Sequence, residues 1–131
     1  MASRRKGRIL AFQALYAWDI SGSLPVDSSH WETFPDFSRL LVSGVMENLK
    51  AIDAMISRHL ENWDFSRLNR VDLAIIRIST YALMYQPDTA PSIIINEAIS
   101  ISKDFGTDDS YRFVNGVLDA IRKTIAAEKN D

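Results

Sequence analysis

The amino-acid sequence predicts an all-α protein, and three observations support this prediction. Apolar residues recur at helical spacing over segments longer than typical strands, most clearly from Asp36 to about Leu60. Glycine, proline and helix-capping residues separate these segments. β-branched residues cluster around Ile75 and at Ile93 to Ile95, but no Asn-Gly or Asp-Gly hairpin turn joins these runs, which argues against short buried strands.

Composition excludes several classes of protein. A chain of 131 residues, 47% apolar and 24% charged, is typical of one soluble globular domain. The absence of cysteine excludes disulfides, thiolate nucleophiles and cysteine-ligated metals. No apolar run approaches the roughly 18 residues that a membrane helix needs, and the N-terminus lacks the apolar segment of a secretory signal. We therefore expect a cytoplasmic protein that does not contact membranes.

The chain is predicted to begin with a long helix followed by a loop. The helix runs from about Ser3 to Ile20, with Ser3 as its N-cap and Gly22 closing it. The polar stretch from Ser21 to Pro35 is predicted to be a loop, with at most a short helix near His30 and Trp31.

The middle of the chain is predicted to be helical with two interruptions. Gly44 or Asn48 can bend or break the helical pattern from Asp36 to about Leu60. The segment from Asn62 to Leu68 is a boundary, after which a further helix runs from Asn69 to Tyr85.

Two more helices are predicted near the C-terminus. Pro87 and Pro91 bracket a turn, and a helix capped by Ser92 runs to Asp104 before Gly106 ends it. The final helix reaches about Ala127, and three consecutive residues offer N-caps for it: Asp108, Asp109 and Ser110.

Two of these helices are apolar on nearly every side. The first helix has one apolar face formed by Ile9, Phe12, Tyr16 and Ile20 and another formed by Leu10, Ala14 and Trp18. The helix from Asn69 to Tyr85 is similar, and helices of this kind are normally surrounded by others. We therefore expect one domain, residues 1–131, with two small helical lobes at about residues 1–62 and about 63–131.

The sequence contains no catalytic or metal-binding constellation. Glycine-rich phosphate loops and the HExxH and GxSxG motifs are absent. His30 and His59 lack metal-ligand spacing, and Asp108 with Asp109 suits helix capping better than metal binding because helix N-termini favour carboxylates. We expect no enzymatic activity, no metal and no cofactor.

The N-terminus is strongly basic although the net charge is −2. Four cations occur in the first eight residues, and the first acid is Asp19; the cations are Arg4, Arg5, Lys6 and Arg8. An acidic protein can still present one basic face to a polyanion. The alternative is a basic terminus that is merely solvated.

Two further segments carry candidate nucleic-acid-binding residues. Arg70, Arg77 and Tyr81 lie within about 40° of one another on their helix, and cations beside an aromatic ring suit single-stranded nucleic acid. The alternative is an ordinary amphipathic rim with Tyr81 half-buried.

On the last helix, Phe113 and Asn115 lie about 100° to either side of the apolar face. Phe113 is a candidate stacking platform, and Asn115 can read a base edge. Gly116 costs about 1 kcal/mol within a helix, which suggests close packing there. Alternatively, Phe113 packs under the preceding loop and Gly116 admits a neighbouring helix.

These residues also carry a resemblance to the NusB family of bacterial transcription antitermination factors. Three motifs match in order over nearly the whole chain. They are Arg4-Arg5-Lys6 leading into Ala11-Phe12-Gln13-Ala14-Leu15-Tyr16-Ala17-Trp18; Val71-Asp72-Leu73-Ala74-Ile75-Ile76-Arg77-Ile78 ending in Tyr81-Ala82-Leu83; and Ile95-Asn96-Glu97-Ala98, Lys103-Asp104-Phe105-Gly106 and Phe113-Val114-Asn115-Gly116-Val117-Leu118-Asp119.

The resemblance implies a fold of about seven helices in two subdomains and a function without catalysis or cofactor. It implies binding of the single-stranded boxA element of nascent RNA together with NusE, a ribosomal small-subunit protein. The complex then joins RNA polymerase with other Nus factors and supports transcription of ribosomal RNA operons.

The resemblance also assigns residues to two surfaces. It implies that RNA contacts Arg4, Arg5, Lys6, Arg8, Gln13, Tyr16, Arg77, Phe113 and Asn115, and the stripe on the Asn69 to Tyr85 helix adds Arg70 to this predicted RNA-binding set. The NusE-facing set comprises Tyr81, Ala82 and Tyr85. Some relatives have a glutamate where Ala82 stands, so a polar contact to NusE is missing if that position serves the interface. The loop from Ser21 to Pro35 is also short for the family.

Two other functions compete with this interpretation. One is an RNA-binding accessory module like that of ribosomal RNA cytosine methyltransferases, although no catalytic cysteine exists here. The other is a helical protein-binding module with an incidental basic terminus. The salt dependence of binding distinguishes this protein-binding module from an RNA-binding protein, because phosphate contacts weaken steeply as the salt concentration rises.

Overall fold

The computed structural model describes residues 3–23 and 31–129. In these two ranges the chain is helical and contains no strand, which confirms the all-α prediction. The described residues form six α-helices, where about seven were expected: α1 Arg4–Ser21, α2 Asp36–Glu47, α3 Leu49–Ser57, α4 Arg70–Tyr85, α5 Pro91–Phe105 and α6 Ser110–Lys129. Two short 3-10 helices, Trp31–Thr33 and Phe65–Arg67, lie in the connections.

Both predicted caps of α1 are confirmed. The Ser3 hydroxyl accepts a hydrogen bond from the Lys6 N–H at 3.0 Å. Gly22 adopts a left-handed conformation with φ of 82° and donates its N–H to the Trp18 carbonyl at 2.7 Å. Residues 24–30 of the predicted loop, including His30, lie outside the described residues, and the helix at Trp31–Thr33 agrees with the short helix expected there.

Asn48 is the residue that separates α2 from α3. Its backbone leaves the helical region, with φ of −119° and ψ of 19°, and its side-chain amide donates to the Gly44 carbonyl at 2.8 Å. This bond satisfies a carbonyl in the last turn of α2. Gly44 lies inside α2, so of the two predicted break points only Asn48 interrupts the helix.

The start of α5 differs from the prediction. The helix begins at Pro91, the preceding residue Ala90 is its N-cap, and no side chain caps it, so the prediction of Ser92 as the cap is wrong. Proline suits the first helical position because its missing N–H would have no partner there. At the start of α6 the Ser110 hydroxyl accepts from the Thr107 N–H at 2.9 Å.

Helix α4 is central to the fold and contacts all five other helices. Every residue from Asp72 to Leu83 is buried, which confirms that this helix is surrounded. The same prediction is wrong for α1, where Tyr16 is exposed and Ile20 is 62% exposed, because neighbouring helices cover only one side of it. Buried apolar side chains of all six helices form one cluster, and the division into two lobes stays a prediction.

Candidate nucleic-acid interface

Two of the four N-terminal cations are ion-paired with α5. The Arg5 guanidinium contacts the Asp104 carboxylate and donates to the Ser100 hydroxyl at 3.0 Å. Arg8 lies 3.4 Å from Glu97. Burial lowers the pKa of the Arg8 guanidinium, Glu97 opposes this shift, and Arg4 adds to it. Carboxylates of α5 therefore partly neutralise the positive charges of Arg5 and Arg8.

The other two cations are exposed on opposite sides of α1. The Arg4 guanidinium lies 4.2 Å from the centre of the Phe37 ring, which is within range of a cation–π interaction. Lys6 is exposed, as are Gln13 and Tyr16 further along the helix. These three side chains lie within about 80° of one another around α1. We call Lys6, Gln13 and Tyr16 the α1 strip; it joins a cation, an amide and an aromatic ring on one open surface.

The stripe predicted on α4 is not an exposed surface. Arg77 is only 5% exposed, and its guanidinium forms a bidentate pair with Asp53 of α3, at 3.0 Å from Nε to Oδ1 and 2.9 Å from Nη2 to Oδ2. Tyr81 is buried as well. Arg70 is half-buried and pairs with Asp19 at 3.4 Å. Helical spacing places the three side chains on one side of α4, but acids of α1 and α3 pair with the two arginines, and α2 packs against the Tyr81 ring.

Phe113 and Asn115 lie on different sides of α6. Phe113 is half-buried, and its ring centre lies 5.8 Å from that of Trp63 with the planes at 65°. Asn115 is exposed. A Cβ added to Gly116 would meet no atom within 4 Å, so the prediction of close packing at this glycine is wrong. Phe113 packs against the α3–α4 connection rather than only under the loop that precedes α6.

The residue that sequence reasoning missed is Trp63. It lies in the connection treated only as a boundary, and it is 59% exposed. An aromatic residue between Asn62 and Asp64 was the available signal, because a large ring in a polar connection often marks a contact surface. Trp63 and Phe113 border a cavity of about 280 Å³, together with Leu68, Asn69, Asp72, Thr107, Asp109 and Ser110.

Of the three residues predicted to face NusE, one is exposed and two are buried. Tyr85 is exposed, whereas Tyr81 and Ala82 are buried beneath it. Tyr85 borders a groove of about 500 Å³ with the exposed apolar side chains of Leu40 and Ile93. The groove also includes Arg4, Arg8 and Glu97. Leu40 and Ile93 were missed because a single exposed apolar residue carries no signal in a helical pattern.

Comparison with known proteins identifies the family. The NusB family model matches residues 5–123. The chain belongs to the NusB family. It is 51% identical over 131 residues to the transcription antitermination protein NusB of Treponema pallidum, covering 92% of this chain and 93% of that protein. This NusB-family membership makes transcription antitermination its function class.

Solved structures of NusB proteins share the fold. NusB of Thermotoga maritima has a TM-score of 0.78 and 36% identity, covering 93% of this chain and 92% of that one. A chain from the complex of the antitermination factors NusB and NusE with double-stranded RNA has a TM-score of 0.79 and 25% identity, covering 92% of this chain and 96% of that one.

The described part of this NusB-family chain has neither a metal-binding cluster nor a membrane-spanning helix. Within residues 3–23 and 31–129, no group of three or more His, Asp or Glu side chains is placed to hold a metal ion. None of the helices described there is long and apolar enough to cross a membrane.

Proposed function

We propose that this chain binds boxA single-stranded RNA together with NusE and joins the other Nus factors on RNA polymerase, supporting transcription of ribosomal RNA operons. The observation that carries the proposal is the match to NusB of Treponema pallidum, which covers 92% of this chain. On this proposal the protein acts in the cytoplasm, where nascent RNA is made. It acts by binding and not by catalysis.

Exposure divides the proposed RNA-binding residues into two groups. Arg4, Lys6, Gln13 and Tyr16 are exposed and can reach a phosphate or a base without breaking an ion pair. An RNA phosphate must compete with Glu97, Asp104 or Asp19 to reach the other surface cations, which are Arg5, Arg8 and Arg70. We assign direct contact to the first group and a secondary part to the second.

Arg77 is assigned a positioning role instead of RNA contact. Its guanidinium is buried and bound to Asp53, so it holds α4 against α3. Phe113 and Asn115 remain proposed RNA contacts, because each leaves part of its side chain open at the surface of α6.

The groove that contains Tyr85, Leu40 and Ile93 is the proposed NusE-facing surface. Exposed apolar side chains with cations at the rim are typical of the core and edge of a protein interface. Tyr81 and Ala82 support this surface from beneath. A glutamate in place of Ala82 would lie near Arg8, which lines the same small cavity.

The test is fluorescence anisotropy of a labelled boxA-like RNA against a scrambled RNA, with and without NusE, at two salt concentrations. The proposal predicts salt-sensitive binding that prefers boxA and is tightened by NusE. Equal binding of both RNAs in the presence of NusE would overturn it. Salt-insensitive binding of NusE alone would instead favour a protein-binding module.

A further inference from the structure

A buried carboxylate lines the cavity beside Phe113. Asp72 is 6% exposed, and its buried Oδ1 atom has no hydrogen-bond partner within residues 3–23 and 31–129. A buried polar atom without a partner costs free energy, so Oδ1 is an acceptor that a donor entering the cavity would stabilise. Burial raises the pKa of the Asp72 carboxyl, while a hydrogen bond from the Ser110 side chain opposes the shift.

The rest of the cavity is built to receive a flat ring. Trp63 and Phe113 line the cavity with two aromatic rings that contact each other edge to face, and Trp63 remains largely open to solvent. The volume of about 280 Å³ lies at the lower end for small-molecule sites, so it suits one ring system rather than a whole nucleotide.

The polar groups select which ring can enter. An ionised carboxylate only accepts hydrogen bonds, so the free Oδ1 of Asp72 requires a donor. The Asn69 side-chain oxygen already accepts from the N–H groups of Val71 and Asp72, at 2.9 and 3.1 Å. Its amide nitrogen is therefore the group left to donate toward the cavity. Asp72 and Asp109 together disfavour a phosphate.

We propose that this cavity binds one unstacked nucleobase of the RNA and prefers a base with an exocyclic amino group, cytosine, adenine or guanine, over uracil. The amino group donates to Asp72 Oδ1, and the adjacent ring acceptor receives a bond from the Asn69 amide. Uracil presents carbonyl oxygens on both sides of its single N–H, and at least one of them faces the carboxylate. This inference rests on the proposed function and adds a base preference to it.

The first test uses the unmodified protein and needs no variant. Labelled decamers of uridine are compared with decamers carrying a single central cytidine, adenosine or guanosine. The inference predicts that at least one substituted decamer binds about tenfold more tightly than oligouridine, the worth of one good hydrogen bond to a charged group. Equal affinity for all four decamers would overturn the inference and leave the proposed function standing, whereas no binding to boxA-like RNA would overturn both.

The second test uses a variant that is expected to weaken the preference for a base with an amino group. Asp72→Asn keeps the shape of the side chain but lets its amide donate to a uracil carbonyl, so the preference for the amino-bearing base falls and oligouridine binding improves. Asp108→Asn is the matched control, because it removes the same charge from an exposed position that does not line the cavity. An unchanged preference in Asp72→Asn, or an equal change in both variants, would overturn the inference.

A third measurement locates the ligand. The chain has three tryptophans, and Trp63→Phe assigns the Trp63 indole N–H signal in a nitrogen-15 correlation spectrum. The inference predicts that the preferred decamer shifts this signal. A shift caused by NusE alone, with none from RNA, would show that a protein side chain occupies the cavity and would overturn the inference.

Discussion

Gly44 of α2 lies directly against the ring of Tyr81 of α4. A Cβ added to Gly44 would lie 2.2 Å from Cζ of this ring and 2.5 Å from its hydroxyl oxygen. Both residues are buried, and the Tyr81 ring also packs against that of Tyr85, at 5.5 Å between ring centres. The missing side chain at residue 44 therefore sets how closely α2 and α4 approach, beneath the proposed partner surface at Tyr85.

Gly44→Ala is expected to destabilise the protein by about 1–3 kcal/mol, because the added methyl group forces α2 away from the Tyr81 ring. Chemical denaturation measures the change in the free energy of unfolding. The matched control is Gly116→Ala, also within a helix, where an added Cβ meets nothing within 4 Å. That variant is expected to be stabilised by about 0.5–1 kcal/mol. Equal effects in both variants would contradict the role of Gly44.

Replacing Arg77 tests its assignment to the interior. Arg77→Ala leaves the Asp53 carboxylate without its bidentate partner and is expected to cost about 3 kcal/mol of stability. Arg77→Lys is expected to recover only part of this stability, since lysine cannot form the same bidentate pair with Asp53. A folded Arg77→Lys protein should keep its RNA affinity and salt dependence. A large loss of affinity without loss of stability would show that Arg77 contacts RNA.

Lys6 is expected to contact an RNA phosphate. Lys6→Ala should lower the slope of log affinity against log salt by about 0.7, the value for one phosphate contact on a single strand. Lys50→Ala, at an exposed position on α3, should leave the slope unchanged. The triple alanine variant of Arg4, Arg5 and Lys6 should lower it further. An unchanged slope in the triple variant would mean that this terminus does not touch phosphate.

Phe113 is expected to stack on a base of the RNA. Phe113→Ala should weaken RNA binding by about 1–3 kcal/mol. The comparison is Phe34→Ala, which removes the half-buried ring of another aromatic pair, Trp31 and Phe34, at 5.6 Å between centres. Anisotropy titrations at one salt concentration provide the measurement, with thermal melts to establish folding. Unchanged affinity in a folded Phe113→Ala protein would exclude stacking.

The stability of the protein should depend on pH through Asp72. Because burial raises the pKa of this carboxyl, the folded state holds the proton more tightly than the unfolded state. Its favourable contribution is complete below the unfolded pKa, about 4, and is lost as pH rises through the folded value. Asp72→Asn should therefore melt higher than the unmodified protein at neutral pH.

This difference between Asp72→Asn and the unmodified protein should shrink as the pH falls toward 4. Melting temperatures of the two proteins across this range test the point. Asp108→Asn again serves as the control, because Asp108 is exposed. A difference that is independent of pH would assign the effect to packing instead of titration.

Local sequence signals were sufficient for most of the elements. Caps at Ser3, Gly22 and Asn69 mark the ends of α1 and α4, because these residue types satisfy the free backbone groups there. The wrong cap at Ser92 has the same local origin, since proline at the preceding position starts α5 without any side-chain cap.

The candidate site was predicted less completely than the fold. Lys6, Gln13 and Tyr16 are exposed and together on α1, whereas Arg77 is hidden by α3. Trp63 was overlooked in a polar connection. The cavity that it shares with Asp72 and Thr107 gave no signal in the sequence, because the α3–α4 and α5–α6 connections become neighbours only in the folded chain.

The sequence by itself determined the helical class and the ends of most helices, since these follow from residue type and local spacing, and its three motifs carried the resemblance to the NusB family. Only the tertiary structure decided which cations are free. Helical periodicity shows which residues share a side of a helix, but not whether another helix covers that side or places a carboxylate against it. The partners of Arg5 and Arg8 lie on α5, 99 and 89 residues away, and become neighbours only when the core packs.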